Sequence, residues 1–139
     1  MELRYGILSE LARAVAVGDP IDVTTGSFNC IWQRDANDMI LRSLPLATSP
    51  PSVFNLCLTE IFSVRNVAAD LGERLGVAPL FQGSEANTAL LANAQRIRKA
   101  LGQPPTPMEK ILNWTADWVR SGGRDFHKPT RFAVRDGTY

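Results

Sequence analysis

Two carboxylates at a helical spacing are the first candidates for chemistry in this sequence. Asp35 and Asp38 stand three residues apart, which places side chains on one face of a helix, where paired carboxylates can serve acid/base catalysis. Both also sit where a helix is predicted to begin. A capping aspartate accepts hydrogen bonds from free amides there, and a first-turn aspartate is favoured by the helix dipole. Capping therefore accounts for both residues more simply than catalysis does.

Three tryptophans could provide a surface on which a ligand stacks. Trp32 lies in a run typical of a strand, whereas Trp114 and Trp118 lie on one predicted helix. Aromatic residues at helical spacing are more often part of a core than of a binding platform. We therefore retain Trp32 alone as a ligand candidate.

Histidine and cysteine are too sparse to suggest relay or metal chemistry. His127 is the single histidine and lies in a polar C-terminal segment, so we expect a solvated surface residue and neither a Ser-His-Asp relay nor a histidine metal cluster. Cys30 and Cys57 match no metal-ligand spacing and lie in apolar runs, which favours core packing. No metal site is expected.

Composition bounds the class of protein. A chain of 139 residues that is 45% hydrophobic and 21% charged predicts one globular unit. A formal net charge of +1 gives no reason to expect nucleic acid or an anionic membrane as a partner. No apolar stretch approaches the roughly 20 residues that span a bilayer, so we expect a cytoplasmic protein. No glycine-rich turn follows a predicted strand, so no phosphate-binding turn is expected either.

Hydrophobic periodicity predicts five helices along the chain. Glycines follow four of them, and the best-defined start has Thr106 as cap, Pro107 in the first turn and Glu109 completing a capping box. The first predicted helix is Tyr5–Val17, the second is opened by Asp35 with Met39, Ile40 and Leu44 inward, and the third is capped by Ser63 and ended by Gly76. The fourth is opened at Asn87 or Thr88, with Leu90, Ala94, Ile97 and Leu101 inward. The fifth starts from Thr106, with Met108, Ile111, Leu112, Thr115, Trp118 and Val119 inward.

Short apolar and β-branched runs predict strands between these helices. They are Ile21–Val23, Phe28–Gln33, the nearly continuous apolar run Val53–Leu58, and Pro79–Gln82. The first two could form a hairpin, and the third is predicted to be buried. We divide the chain into an α/β domain over residues 1–123 and a C-terminal tail over residues 124–139, which lies on the domain or stays mobile.

Four blocks of this sequence, taken in order, resemble the NAD-dependent epimerase/dehydratase family of extended short-chain dehydrogenases. The blocks are the strand-then-helix run Phe28–Ala36, Val53–Leu56 leading to Ser63–Arg65, Asn93–Ile97 followed by Leu101-Gly102, and the helix Thr106–Trp118. They correspond to the later part of such a protein. The resemblance implies an α/β fold made of helices with a few short strands, the C-terminal substrate-binding portion without the nucleotide-binding half. It implies no catalytic or cofactor-binding residue in this chain, and NAD or NADP for the full-length parent.

Departures from the family pattern bear on the substrate. Nucleotide-sugar members usually carry arginines at the position of Phe28 and near Gln82-Gly83, where guanidinium groups hold the diphosphate. Neither arginine is present here, which favours a sugar, sugar acid or related small carbonyl compound. By the same resemblance, the residues expected to line the substrate pocket are Arg4, Tyr5, Thr24, Thr25, Trp32 and Gln33, although capping or packing explains each of them equally well.

The expected function is therefore substrate binding within a larger oxidoreductase, with the isolated chain not catalytic. The alternative is a stand-alone small binding or scaffolding module with the same topology. The predicted strand Val53–Leu58 and the helix from Ser63 would lack the sheet on which they pack in the family. We expect this to favour self-association or pairing with the nucleotide-binding half.

Overall fold

The computed structural model describes residues 1–134, and five α-helices dominate them. The helices are α1 (Ile7–Val17), α2 (Gln33–Ser43), α3 (Val64–Leu75), α4 (Gln95–Leu101) and α5 (Met108–Arg120), and the two-residue strands are β1 (Ile21–Asp22), β2 (Ser27–Phe28), β3 (Phe62–Ser63) and β4 (Phe81–Gln82). A 3-10 turn over Leu44–Leu46 follows α2. The predicted helix-rich α/β class is confirmed.

Helices α1, α3 and α5 pack against one another around the larger of two hydrophobic cores. Leu8, Leu11 and Val15 lie on the buried stripe of α1 and belong to the same core as Leu71 of α3 and Ile111 of α5. Their spacing of three and four residues places them on one helix face, which explains why periodicity located these helices correctly. Predicted end signals are also confirmed: Gly18 and Gly76 adopt left-handed conformations at the ends of α1 and α3, and the Ser63 hydroxyl accepts the Asn66 amide at 3.4 Å.

The strands form two separate pairs, so the possible hairpin between the first two strands is wrong. Strand β1 pairs with β4 in parallel, and β2 pairs with β3 in antiparallel register. Each strand is shorter than predicted. The segment Phe28–Gln33 is a strand only at Phe28, because the chain turns into α2 at Gln33, whose amide donates to the Met1 carbonyl at 2.8 Å.

A second, smaller core lies between α2 and α4. It contains Ile31, Met39, Cys57, Ala94 and Ile97, all buried. The predicted core packing is confirmed for Cys57, and the half-buried Cys30 packs on the larger core. Ile40 and Leu44, predicted to point inward, are instead 49% and 68% exposed. Met39 is the α2 residue buried in the second core, and Ala36 of the same helix packs against it.

The segment Val53–Leu58 is not a strand, which corrects the prediction for this run. Val53 is 74% exposed, while Phe54 and Leu56 pack on the second core and Cys57 and Leu58 are buried. Its backbone joins no sheet; Leu58 donates a single hydrogen bond to the Cys30 carbonyl at 2.9 Å. Apolar content alone does not make a strand when no neighbouring strand offers a ladder.

Two helix starts also differ from prediction. Helix α4 begins at Gln95, not at Asn87 or Thr88, because the Asn93 side chain accepts the Gln95 amide at 3.0 Å; Leu90 is 70% exposed. Helix α5 begins at Met108 without a side-chain cap, so the predicted capping box is absent. The Thr106 side chain contacts Asp35 instead, and Asp35 itself lies within α2, not at its cap.

Candidate functional site

A solvent-accessible hollow lies where the start of the chain crosses the first turns of α2. We name this cavity of about 420 Å³ the tryptophan cleft. Three elements form its walls: the N-terminal segment, α2 and the C-terminal half of α5. The lining residues are Glu2, Leu3, Arg4, Trp32, Gln33, Arg34, Asn37 and Trp118.

Both tryptophans of the cleft are held in place by contacts outside it. The Trp32 ring lies 5.4 Å from the Trp114 ring at an angle of 45°. The Trp118 indole donates from Nε1 to the Arg124 carbonyl at 3.1 Å and packs directly on the backbone of Gly123. Trp32 and Trp118 are each partly exposed. The cleft therefore offers fixed aromatic surface, which suits the C–H faces of a sugar-like ligand.

The charged residues of the N-terminal wall are paired with each other. Arg4 donates from Nε to both carboxylate oxygens of Glu2, at 3.0 and 3.1 Å, and its guanidinium lies 4.5 Å from the centre of the Phe126 ring. On the α2 wall, by contrast, the side chains of Gln33, Arg34 and Asn37 make no hydrogen bond or ion pair within residues 1–134. These three side chains can therefore turn to a ligand without breaking an existing contact.

A second cavity, of about 280 Å³, lies between α1 and the C-terminal segment and shares Arg4 with the tryptophan cleft. Tyr5 lines this second cavity. Two contacts join its walls: Arg13 Nε lies 2.9 Å from Asp125, and Glu10 accepts a hydrogen bond from the backbone amide of Thr130 at 3.0 Å. The described part of the tail, residues 124–134, thus lies against α1, while residues 135–139 of the predicted tail fall outside the described residues.

The structure brings together only some of the residues predicted to bind substrate. Arg4, Trp32 and Gln33 line the tryptophan cleft, and Tyr5 lies in the adjoining cavity. Thr24 and Thr25 are elsewhere. Thr25 is 8% exposed and lines a small apolar cavity with Phe28, and the Thr24 amide donates to Asp22 at 2.8 Å. Hydrogen bonds from the Thr24 side chain and backbone lower the pKa of the Asp22 carboxyl. Substrate binding by any of the six stays a prediction.

Sequence reasoning missed five residues of the cleft: Glu2, Leu3, Arg34, Asn37 and Trp118. Arg34 and Asn37 are three residues apart, so they share a helix face when both lie within a helix. This signal could have been used only if α2 had been predicted to begin at Gln33. Trp118 was assigned to the core because its spacing with Ile111 and Leu112 fits a buried stripe. No sequence signal pointed to Glu2 or Leu3.

Other chemistry-bearing residues form no further site among residues 1–134. His127 is exposed, as predicted, with an 88% accessible side chain whose Nδ1 lies 2.8 Å from Asp125. No group of three or more His, Cys, Asp or Glu side chains in this part of the chain is arranged to hold a metal ion. No helix in the described region is long and apolar enough to cross a membrane.

Comparison with known proteins places the fold. No family model matches the chain, and no curated protein matches it either. Solved structures do match. A candidate epimerase from Burkholderia cenocepacia superposes with a TM-score of 0.64 at 23% identity over 84% of this chain. UDP-glucose 4-epimerase of Thermus thermophilus, in complex with NAD, gives 0.63 at 16% identity over 81% of this chain.

A third match is MoeE5 in complex with UDP-glucuronic acid and NAD, with a TM-score of 0.65 at 20% identity over 83% of this chain. This chain has the fold of part of an extended short-chain dehydrogenase. It spans about two fifths of the three structures, covering 41%, 39% and 41% of their lengths. The fold expected from the sequence resemblance is therefore confirmed.

Proposed function

We propose that this chain is the substrate-binding portion of an NAD(P)-dependent epimerase/dehydratase-type oxidoreductase acting on a sugar, sugar acid or related small carbonyl compound. The superposition of more than four fifths of the chain on enzymes of this type carries the proposal. In that arrangement residues 1–123 form the substrate-side domain and residues 124–139 its tail. The protein would act in the cytoplasm.

The tryptophan cleft supports a role in substrate binding. Its volume lies within the range of about 300–1,000 Å³ typical of small-molecule sites, and it combines aromatic faces with a few polar side chains, as such sites do. Three residues predicted to bind substrate, Arg4, Trp32 and Gln33, line it. Within the proposed enzyme these residues bind and orient the substrate.

Residues 1–134 form no site that fits NAD or NADP. A dinucleotide site needs a glycine-rich turn between a strand and a helix, where backbone amides meet the pyrophosphate. Strand β3 runs directly into α3 at Ser63-Val64, and none of the other three strands in residues 1–134 is followed directly by a helix with such a turn. The cofactor and the acid/base residues would therefore come from a nucleotide-binding half outside this chain, which pairs with it and supplies the hydride chemistry.

The positions expected to clamp a nucleotide diphosphate also support a smaller substrate. Phe28 is only 7% exposed, and its ring lies 6.0 Å from Phe62 inside the larger core. At Gly83, a Cβ atom would lie 3.2 Å from both Asp22 Oδ1 and Thr24 Oγ1, so little room exists for a longer side chain. The solved structure of MoeE5 contains a UDP-sugar, but this chain presents no guanidinium at either position.

Two measurements test the proposed function. The endogenous polypeptide that contains this sequence, detected with an antibody or by peptide mass spectrometry, should be far larger than 15.3 kDa. It should also include a glycine-rich turn and the Tyr-x-x-x-Lys motif that is catalytic in the family that this sequence resembles. An endogenous product of 15.3 kDa would instead support the stand-alone module. Calorimetric titration of the 139-residue chain should show no binding of NAD or NADP, and micromolar affinity for either would refute the proposal.

The proposal also predicts the substrate range of the endogenous enzyme. Purified from its source and supplied with NAD or NADP, it should show no meaningful turnover of UDP- or dTDP-sugars, because the diphosphate would find no guanidinium partner at Phe28 or Gly83. Robust epimerisation of any of these nucleotide sugars would show that the diphosphate is held by other residues.

A further inference from the structure

Arg34 differs from the other arginines on the helices. Each of the others donates at least one hydrogen bond within residues 1–134: Arg13, Arg42, Arg65, Arg74, Arg96, Arg98 and Arg120. Arg34 makes neither a hydrogen bond nor an ion pair in the described part of the chain, although it lines the tryptophan cleft. Its guanidinium is the one free cation among the cleft residues that the structure describes.

The carboxylates closest to Arg34 along the chain are already engaged. Asp35 turns away from the cleft and accepts two hydrogen bonds from Thr106, and Asp38 lies 3.3 Å from the Arg42 guanidinium one helical turn further on. Glu2, the acidic residue of the cleft wall, is neutralised by Arg4. Among the described residues that line the cleft, Arg34 is therefore the charged side chain with no opposite charge paired to it, which favours an anionic ligand group.

The remaining lining indicates what the anionic group is attached to. Gln33 and Asn37 flank Arg34 on α2 with amide side chains that both donate and accept, as hydroxyl groups require. Trp32 and Trp118 supply apolar ring faces that suit C–H groups. A planar guanidinium matches a carboxylate in bidentate fashion. The combination fits a molecule with one carboxylate and several hydroxyl groups.

We infer that the tryptophan cleft binds a polyhydroxylated carboxylate, an aldonic or uronic acid, with the carboxylate on Arg34 and the hydroxyl groups on Gln33 and Asn37. This inference rests on the proposed function and narrows its substrate class. It assigns Arg34 as the residue that distinguishes a sugar acid from the corresponding neutral sugar.

The test compares D-glucuronate with D-glucose, which differ only at C6, where the first has a carboxylate and the second a hydroxymethyl group. Both are titrated into the ¹⁵N-labelled 139-residue chain, with the indole N–H resonances of Trp32 and Trp118 as reporters. D-Glucuronate should bind about tenfold more tightly than D-glucose, because its carboxylate makes a charge-assisted bidentate contact with Arg34. Arg34→Gln should reduce the affinity for D-glucuronate to that for D-glucose and leave the affinity for D-glucose unchanged.

Arg42→Gln is the matched control, because Arg42 lies on the same helix and is also exposed but does not line the cleft. It should keep the preference for D-glucuronate. Equal affinities for the two sugars, or a preference that survives Arg34→Gln, would overturn the inference and leave the proposed function standing. Absence of indole shifts with either sugar would overturn the inference as well. The proposed function is judged separately, by the size of the endogenous polypeptide.

Discussion

The Asp35 carboxylate accepts two hydrogen bonds from Thr106, one from its backbone amide and one from its hydroxyl, each at 3.0 Å. The two residues are 71 positions apart, and Asp35 is only 3% exposed. The contact joins the first turn of α2, which carries the wall of the tryptophan cleft, to the loop that precedes α5. A buried carboxylate is tolerated here because both of its oxygens accept hydrogen bonds.

We expect Asp35→Ala to lower the free energy of unfolding by about 2–3 kcal/mol, because it leaves the Thr106 amide and hydroxyl without an acceptor. Urea denaturation followed by circular dichroism measures this change. Asp38→Ala is the control on the same helix. It removes an exposed i,i+4 ion pair with Arg42 and should cost only about 0.3–0.5 kcal/mol. Equal effects of the two substitutions would mean that the contact with Thr106 contributes little to stability.

Gly123 allows Trp118 to reach its position in the cleft. A Cβ atom at residue 123 would lie 2.3 Å from the Trp118 ring, so Gly123→Ala must displace the indole. We expect this variant to shift the indole N–H resonance of Trp118 in a ¹⁵N spectrum and to destabilise the chain by about 1–3 kcal/mol through overpacking. Gly102→Ala is the comparison: Gly102 has φ +85° and ψ −172° and no atoms near the added Cβ, so only backbone strain of about 1–3 kcal/mol applies. It should leave the Trp118 resonance unchanged.

Burial raises the pKa of the Cys30 thiol from 9.0 to about 11. Below pH 9 the thiol is protonated in both the folded and the unfolded chain, so its contribution to stability is fully present. Between pH 9 and 11 only the unfolded thiol ionises, and the free energy of unfolding should fall by about 1.4 kcal/mol per pH unit from this residue. Cys30→Ala should remove this part of the slope. Identical slopes for the two proteins over this range would show that Cys30 ionises as readily in the folded chain.

Self-association of the isolated chain remains a prediction, but its structural basis changes. Val53–Leu58 forms no strand, so strand pairing through it is not available as the cause. The exposed apolar side chains of Ile40, Leu41 and Leu44, at 49%, 67% and 68% exposure, share the outer side of α2 and the turn after it. We expect sedimentation to show a dimer that Leu41→Glu dissociates. Val53→Glu, at a residue 74% exposed, should leave the dimer intact, and a monodisperse wild-type monomer would contradict the prediction.

The sequence by itself determined the helices whose signals are local. Helices α1 and α3 were predicted with their buried stripes and their terminal glycines, because a helix face depends on residues three and four apart and a left-handed end depends on one residue. The resemblance in four ordered blocks also predicted the fold that the superpositions confirm. These features need no knowledge of distant contacts.

Only the tertiary structure decided which polar residues cap helices and which join distant segments. Asp35 and Thr106 each fit the local pattern of a cap, yet they bond to each other, because the fold brings α2 and the α5 loop together. Val53–Leu58 could form a strand only beside a partner strand, and the described residues supply none there. Local patterns cannot show where a distant partner lies.

The candidate site was decided in the same way. The resemblance named Arg4, Trp32 and Gln33, but it also named Thr24 and Thr25, which lie elsewhere. Arg34 lies in the cleft because α2 starts at Gln33, whose backbone amide donates to the Met1 carbonyl. Trp118 lies in the cleft because the C-terminal half of α5 is next to the N-terminal segment. The N-terminal segment, α2 and α5 are far apart in the sequence. The cleft between them therefore exists only once the fold packs these three segments side by side.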